Sequence, residues 1–167
     1  FYGVVAPGQS FGELGVFYGS VYTDTASAIG SVSVLAVQAE VFRADFEKNT
    51  ELRNALSALI ADRYKSYIDV TKGLYLGSLS ARLATSLLRL AEDLGEAIDC
   101  DGKSCLHVGS MITQSDLGAM ARGTRGNVNR ILKNWERDGL VALHDRKIIL
   151  LDPYKLEQVA LHGGEVN

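Results

Sequence analysis

No run of about 18 apolar residues occurs in this 167-residue chain, so the sequence offers no transmembrane helix. Positive charge is also lacking overall. Seventeen Lys and Arg stand against 20 Asp and Glu, for a net charge of −3 and a pI near 5.6. A chain with no general basic pull must make any contact with nucleic acid through a local patch. There are only two cysteines, Cys100 and Cys105. With His107 they supply three of the four ligands that a structural zinc site requires, so the expectation is two reduced thiols near a turn and no metal. Asp99, Asp101, Cys105 and His107 crowd the same polar stretch without a nucleophile, base and orienting group in order, which argues against an enzyme. Repeats and low-complexity tracts are absent. The opening Phe1-Tyr2-Gly3-Val4-Val5 has neither a charged leader nor a cleavage site, and reads as the middle of a domain with a part expected upstream.

What is present is globular in composition. Apolar residues make up 47% and charged residues 22%, which separates the chain from disordered ones. Its length suits two small domains, each marginal alone. The first forty residues are rich in Val, Tyr, Thr, Ser and Gly. Runs at Tyr22 to Ala28 and at Val32-Ser33-Val34-Leu35-Ala36-Val37 predict short strands, broken by glycines at 8, 12, 15, 19 and 30. This pattern points to part of a small β-barrel.

From Ala39 the period becomes helical. Ala39 to Lys48 predicts a short helix, and Thr50 is a candidate cap for a longer one. Along it, Leu52, Leu56, Leu59, Ile60, Arg63, Tyr67, Val70 and Leu74 follow three- and four-residue spacing. So narrow and long a stripe suits pairing with a twin helix in a homodimer, although packing on the chain's own β domain gives the same pattern. Gly73 and Gly77 flank a candidate hinge. Ser78 or Ser80 then starts a helix carrying Leu83, Leu87, Leu88, Leu90 and Ala91 up to Gly95, and Asp99 to Val108 reads as a hairpin arm.

The richest stretch runs from Ile112 to Asp152. Thr113 and Asp116 form a capping-box pattern before Leu117 and Met120, and Gly123 suits a left-handed turn. Thr124 caps the next helix. In it Val128, Ile131, Leu132 and Trp135 form a buried stripe, with Arg125, Asn129 and Lys133 opposite and Asn127 and Arg130 on the flanks. Leu140 to Leu143 and Ile148 to Leu151, around His144-Asp145-Arg146-Lys147, predict a β wing. Helix, tight turn, polar helix and basic wing together describe a winged helix-turn-helix for double-stranded DNA. Arg125, Asn129 and Arg130 are the candidate base readers, since Arg fits guanine and Asn fits adenine through paired groups. Thr113, Gln114, Thr124, Asn127, Lys133, Arg146 and Lys147 are the candidate backbone contacts. A winged helix that binds protein instead is the alternative.

With these residues in view, the whole chain resembles the cAMP receptor protein and FNR family of bacterial regulators. Gly12-Glu13-Leu14-Gly15-Val16-Phe17 after Pro7-Gly8 is similar to the family's phosphate cassette. Ala39 to Leu76 resembles its short and long helices, and Ser80-Ala81-Arg82-Leu83-Ala84 the first helix of its DNA domain. The resemblance implies an α+β chain in two domains. Residues 1–76 would be the end of a cyclic-nucleotide-binding-type β-barrel, its earlier part missing, with the dimerisation helix. Residues 77–167 would be the winged helix-turn-helix. It also implies a cytoplasmic homodimer on an inverted-repeat operator, with RNA polymerase as partner if it activates.

The departures concern the effector. By resemblance its pocket would be Gly12, Glu13, Leu14, Tyr22, Thr23, Tyr67 and Ile68. Where the family pairs an Arg with the cyclic phosphate, this chain has Tyr22-Thr23, and no Lys or Arg occurs before Ala39. A buried phosphate without a charged partner is strongly disfavoured. The helix pair that would touch adenine is Tyr67-Ile68, bulky and largely apolar. cAMP is therefore not the expected effector, and the effector is unknown. Clustered N-terminal cysteines for an iron–sulfur centre are missing, and His107, His144 and His162 all lie outside the barrel segment. Glu13 is explained equally by a ligand hydroxyl or by turn structure. Arg125 is followed by Gly126 where the family often has Glu, so a different half-site is expected.

Overall fold

A computed structural model describes residues 4–163 except 20, 23, 101 and 110, with residues 70 and 73–76 described as backbone alone. Thr23 and Asp101, singled out above, lie outside the described residues, as do Phe1, Tyr2 and Gly3 and the side chains of Val70 and Leu74. The architecture is α+β, and the chain divides into two compact units: residues 7–69, and residues 70–163 with residues 4–6. No helix of the described residues is long and apolar enough to cross a membrane.

The first unit holds α1 (Glu13–Phe17), α2 (Ala39–Lys48) and most of α3 (Thr50–Leu76). Three rings tie α1 to α2, with Phe17 5.0 Å from Phe46 and 6.3 Å from Phe42. Arg43 Nε donates to the Val16 carbonyl at 2.9 Å. The cap of α3 is Asn49 rather than Thr50, because the Asn49 carboxamide reaches the amides of Glu51 and Leu52 at 2.9 and 3.1 Å. Helix α3 continues through Gly73, so the break in helical geometry is confined to Gly77 and Ser78.

The expected strands at Tyr22–Ala28 and Val32–Val37 do not form: among the described residues before α2 there is no strand. Alternating residues become a strand only when a neighbour satisfies their amides and carbonyls. Here no described segment pairs with them, and Val32, Val34, Leu35 and Val37 are exposed.

The second unit is built around α4 (Leu79–Leu94), whose Leu83, Leu87 and Leu90 are fully buried. Ser78 caps it by accepting from the Ala81 amide. Helix α4 packs against α5 (Gln114–Ala121) and α7 (Pro153–His162). The four strands β1 (Glu96–Cys100), β2 (Lys103–Val108), β3 (Val141–His144) and β4 (Lys147–Leu150) form one antiparallel sheet in the order β1-β2-β4-β3. The hairpin arm is thus β1 and β2, and it joins the wing through Leu106, His107 and Val108 opposite Leu150, Ile149 and Ile148. Helix α7 was not foreseen. Its signals were Asp152, whose carboxylate caps the Lys155 amide, and Pro153 in the first turn. That amide bond, followed by the Lys155 ammonium, holds the Asp152 carboxyl below its ordinary range.

Candidate nucleic-acid interface

Helix α5 and helix α6 (Arg125–Arg137) meet at a turn whose two glycines, Gly118 and Gly123, are closely approached by their neighbours. A Cβ on Gly118 would sit 2.8 Å from the Gly123 carbonyl oxygen, and one on Gly123 would sit 2.6 Å from Leu79 Cδ1. The left-handed residue is Arg122, at φ 51°, and not Gly123; at 123 a side chain would have to displace the Leu79 side chain of α4. Arg82 of α4 holds both ends of this arrangement, donating to the carbonyls of Ala121 at 2.7 Å and Gly77 at 2.6 Å.

Caps fix where each helix begins. The Thr113–Asp116 box is complete, with the Asp116 amide donating to Thr113 Oγ1 and the Thr113 amide to Asp116 Oδ2. The Thr113 hydroxyl also donates to Asp116, so its proton is committed within the box. Thr124 accepts from the Asn127 amide at 3.3 Å and keeps its hydroxyl proton for an outside acceptor.

The two faces of α6 differ sharply. Val128 and Leu132 are fully buried and Trp135 nearly so, while Arg125, Asn127, Asn129, Arg130 and Lys133 are exposed. Gln114, half-buried at the start of α5, donates to Asn129 Oδ1 at 3.3 Å. Lys133 pairs with Glu136 at 2.8 Å, and the Glu136 carboxyl is held below its ordinary range by that bond. Glu136 also accepts from the Leu143 amide, tying α6 to the first wing strand, a positioning role not anticipated above.

The wing turns at Asp145 and Arg146, both at positive φ, which matches the twist of a tight hairpin. Arg146 is exposed and Lys147 half-buried. From Thr113 to Leu150 there are seven Lys and Arg against four Asp and Glu, a local surplus of three positive charges inside a chain of net −3. Arg122, exposed at the interhelical turn, belongs to this patch and was passed over in the sequence as a turn residue.

Gly126 is exposed on α6, and a Cβ there would meet nothing within 4 Å. Gly126→Ala is therefore expected to stabilise the fold by about 0.5–1 kcal/mol through helix propensity alone. Denaturant titration of the full chain measures this; a loss of stability would mean that the site is not open.

In the first unit the expected effector residues are only partly together. Glu13 is buried, and one of its carboxylate oxygens is paired with the guanidinium of Arg63 from α3, which also donates to the Ser10 carbonyl. Arg63 was placed above on the dimer stripe; the structure turns it into its own unit because it is the cation that offsets a buried carboxylate. Burial pushes that guanidinium below its ordinary range. Leu56 is also buried, leaving Ile60, Tyr64 and Tyr67 as the exposed large apolar side chains among the described residues of α3. Tyr22 lies against Gly12 and Gly15, where a Cβ on Gly15 would come 2.8 Å from the ring. Leu14 and Tyr67 point to solvent, and Ile68 is half-buried.

Residues 81–159 match the Crp-like helix-turn-helix domain family. Over 157 residues the chain is 24% identical to the CRP-like cAMP-activated global transcriptional regulator of Mycobacterium tuberculosis, covering 94% of this chain and 68% of that protein. Over 144 residues it is 27% identical to the cAMP-activated global transcriptional regulator CRP of Escherichia coli O157:H7, covering 86% and 66%. A CRP-family transcriptional regulator from Thermus thermophilus has a similar structure, with TM-score 0.59 and 26% identity over 71% of this chain and 58% of that one. FixK2 from Bradyrhizobium japonicum shares the fold at TM-score 0.61 and 19% identity, over 73% and 58%. The chain thus spans about two thirds of the length of these curated relatives, and less of the solved chains.

Proposed function

We propose that this chain is a transcription regulator of the CRP/FNR type that reads an inverted-repeat operator as a homodimer, with one α6 in the major groove at each half-site; the match of residues 81–159 to the Crp-like helix-turn-helix domain and the likeness to the curated regulators support this reading. The observation that carries this reading is the exposed Arg125, Asn129 and Arg130 face, backed by fully buried Val128 and Leu132. Such a helix end is held rigidly from behind and offers planar, paired groups to base edges. Two-fold pairing sets the half-site centres about one DNA turn apart, roughly 34 Å. The remaining exposed stripe of α3, Ile60, Tyr64 and Tyr67, is the surface we assign to the partner helix. The protein acts in the cytoplasm, where its DNA is, and an activator of this type would also contact RNA polymerase.

The curated relatives named above are cAMP-activated; for this chain we propose a different effector, or none. Arg63 brings one cation to Glu13, but the carboxylate already neutralises it, and a cyclic phosphate would have to break that pair. Selection of bound duplexes from a random pool, using the full-length protein, tests the main reading. A palindrome is expected, and recovery of unrelated sequences would overturn it.

Arg146 and Lys147 are assigned to the phosphate backbone beside the groove. Alanine at both is expected to weaken specific and random duplexes alike and, with two residues lost from each of the two subunits, to flatten the plot of log affinity against log salt by about four units of slope. An unchanged slope would remove the wing from the contact.

A further inference from the structure

Asn129 does not face outward as a free carboxamide. Its Oδ1 accepts from Gln114 Nε2 across the α5–α6 turn, at 3.3 Å. A carboxamide has one end that only accepts and one that only donates. With the oxygen turned to Gln114, the NH₂ group is the end presented to solvent. The bond is not required for the fold. Capping of α5 is done by Thr113 and Asp116, the turn is fixed by the Gly118 and Gly123 contacts, and Asn129 is exposed. Exposed hydrogen bonds of this sort add little to stability, so its consequence lies in orientation.

We infer that Gln114 is a positioning residue that sets which bases Asn129 accepts. The inference rests on α6 lying in the major groove. A donor-only edge favours the keto oxygen of guanine (O6) or thymine (O4) and disfavours the amino group of cytosine (N4) or adenine (N6). This departs from the adenine pairing expected of an unrestrained Asn, which needs the oxygen free to accept from N6.

The test takes the operator recovered by selection, varies each half-site position through all four bases, and measures affinities with the full-length protein. One position per half-site is expected to prefer keto over amino bases by about tenfold, and Asn129→Ala should erase that preference while leaving other positions unchanged. Gln114→Glu replaces the donor by an acceptor. The Asn129 amide then turns its NH₂ inward and its oxygen toward the groove, and the preference at that one position should reverse to amino bases. The added negative charge weakens all sequences together, so only the ratio is read. Gln114→Ala, which frees the amide, should bring the ratio close to one. Retained preference at the Arg130-dependent position shows that each variant is folded. An adenine preference at the Asn129 position, or a ratio that ignores both Gln114 variants, overturns the role of Gln114 alone. A wild-type protein that selects no sequence overturns the reading of α6 itself.

Discussion

Arg130→Ala is expected to weaken binding to the specific operator by about 1–3 kcal/mol per half-site, and Arg125→Ala by a similar amount. In a two-fold complex both half-sites lose the contact, so the total is about 2–6 kcal/mol, or roughly 30-fold to 10⁴-fold in affinity. The size follows from how the two side chains are held. Both are exposed on a helix whose far side is fully buried, and among the described residues neither guanidinium is engaged by a carboxylate. Each can therefore give both of its parallel N–H groups to a guanine without first breaking an ion pair. Lys133 is different. It already pairs with Glu136, and Lys133→Ala should cost less because the gain from a phosphate is offset by the lost pair. Titrations of specific and random duplexes at one salt concentration decide the matter. Equal losses on both would make Arg130 a backbone contact and not a reader.

Much of this site could be read in the sequence because local rules and tertiary packing agree there. Thr113, Asp116 and Thr124 cap helices that need caps wherever they pack, and a stripe of Val128, Leu132 and Trp135 has one apolar side to bury. The details that failed depend on groups distant in the chain. Gly123 looked like a left-handed residue, but the constraint on it is Leu79, 44 positions earlier, and the left-handed conformation falls to Arg122. Arg63 matched a dimer stripe by spacing, and only its approach to Glu13, 50 positions away, gives it another role. The strands expected at 22–28 and 32–37 had the right alternation, but alternation describes a face and supplies no pairing edge. The Gln114–Asn129 bond carried no sequence signal at all. Two amides fifteen positions apart meet only because the turn brings α5 and α6 together.

Trp135→Ala is expected to be the most damaging single change in the DNA-reading unit, at about 3–5 kcal/mol of folding stability. Trp135 is only 5% exposed, in the last turns of α6, and its carbonyl accepts from the Leu140 amide at 2.8 Å as the chain leaves the helix for β3. Removing the indole opens a cavity behind the reading face at the point where α6 is joined to the wing. A unit of this size has a total stability of about 5–15 kcal/mol, so the loss is a large fraction of the whole. Binding should then fail in a way unlike Arg130→Ala. Specific and random duplexes lose together, because the helix and the wing are both displaced, and a large excess of specific duplex partly restores the folded form by mass action. Trp135→Phe keeps most of the apolar volume and should retain most of both properties. Chemical denaturation followed beside DNA titration distinguishes the cases: a loss under about 1 kcal/mol with binding intact would mean that α6 is anchored by Val128 and Leu132 without the indole.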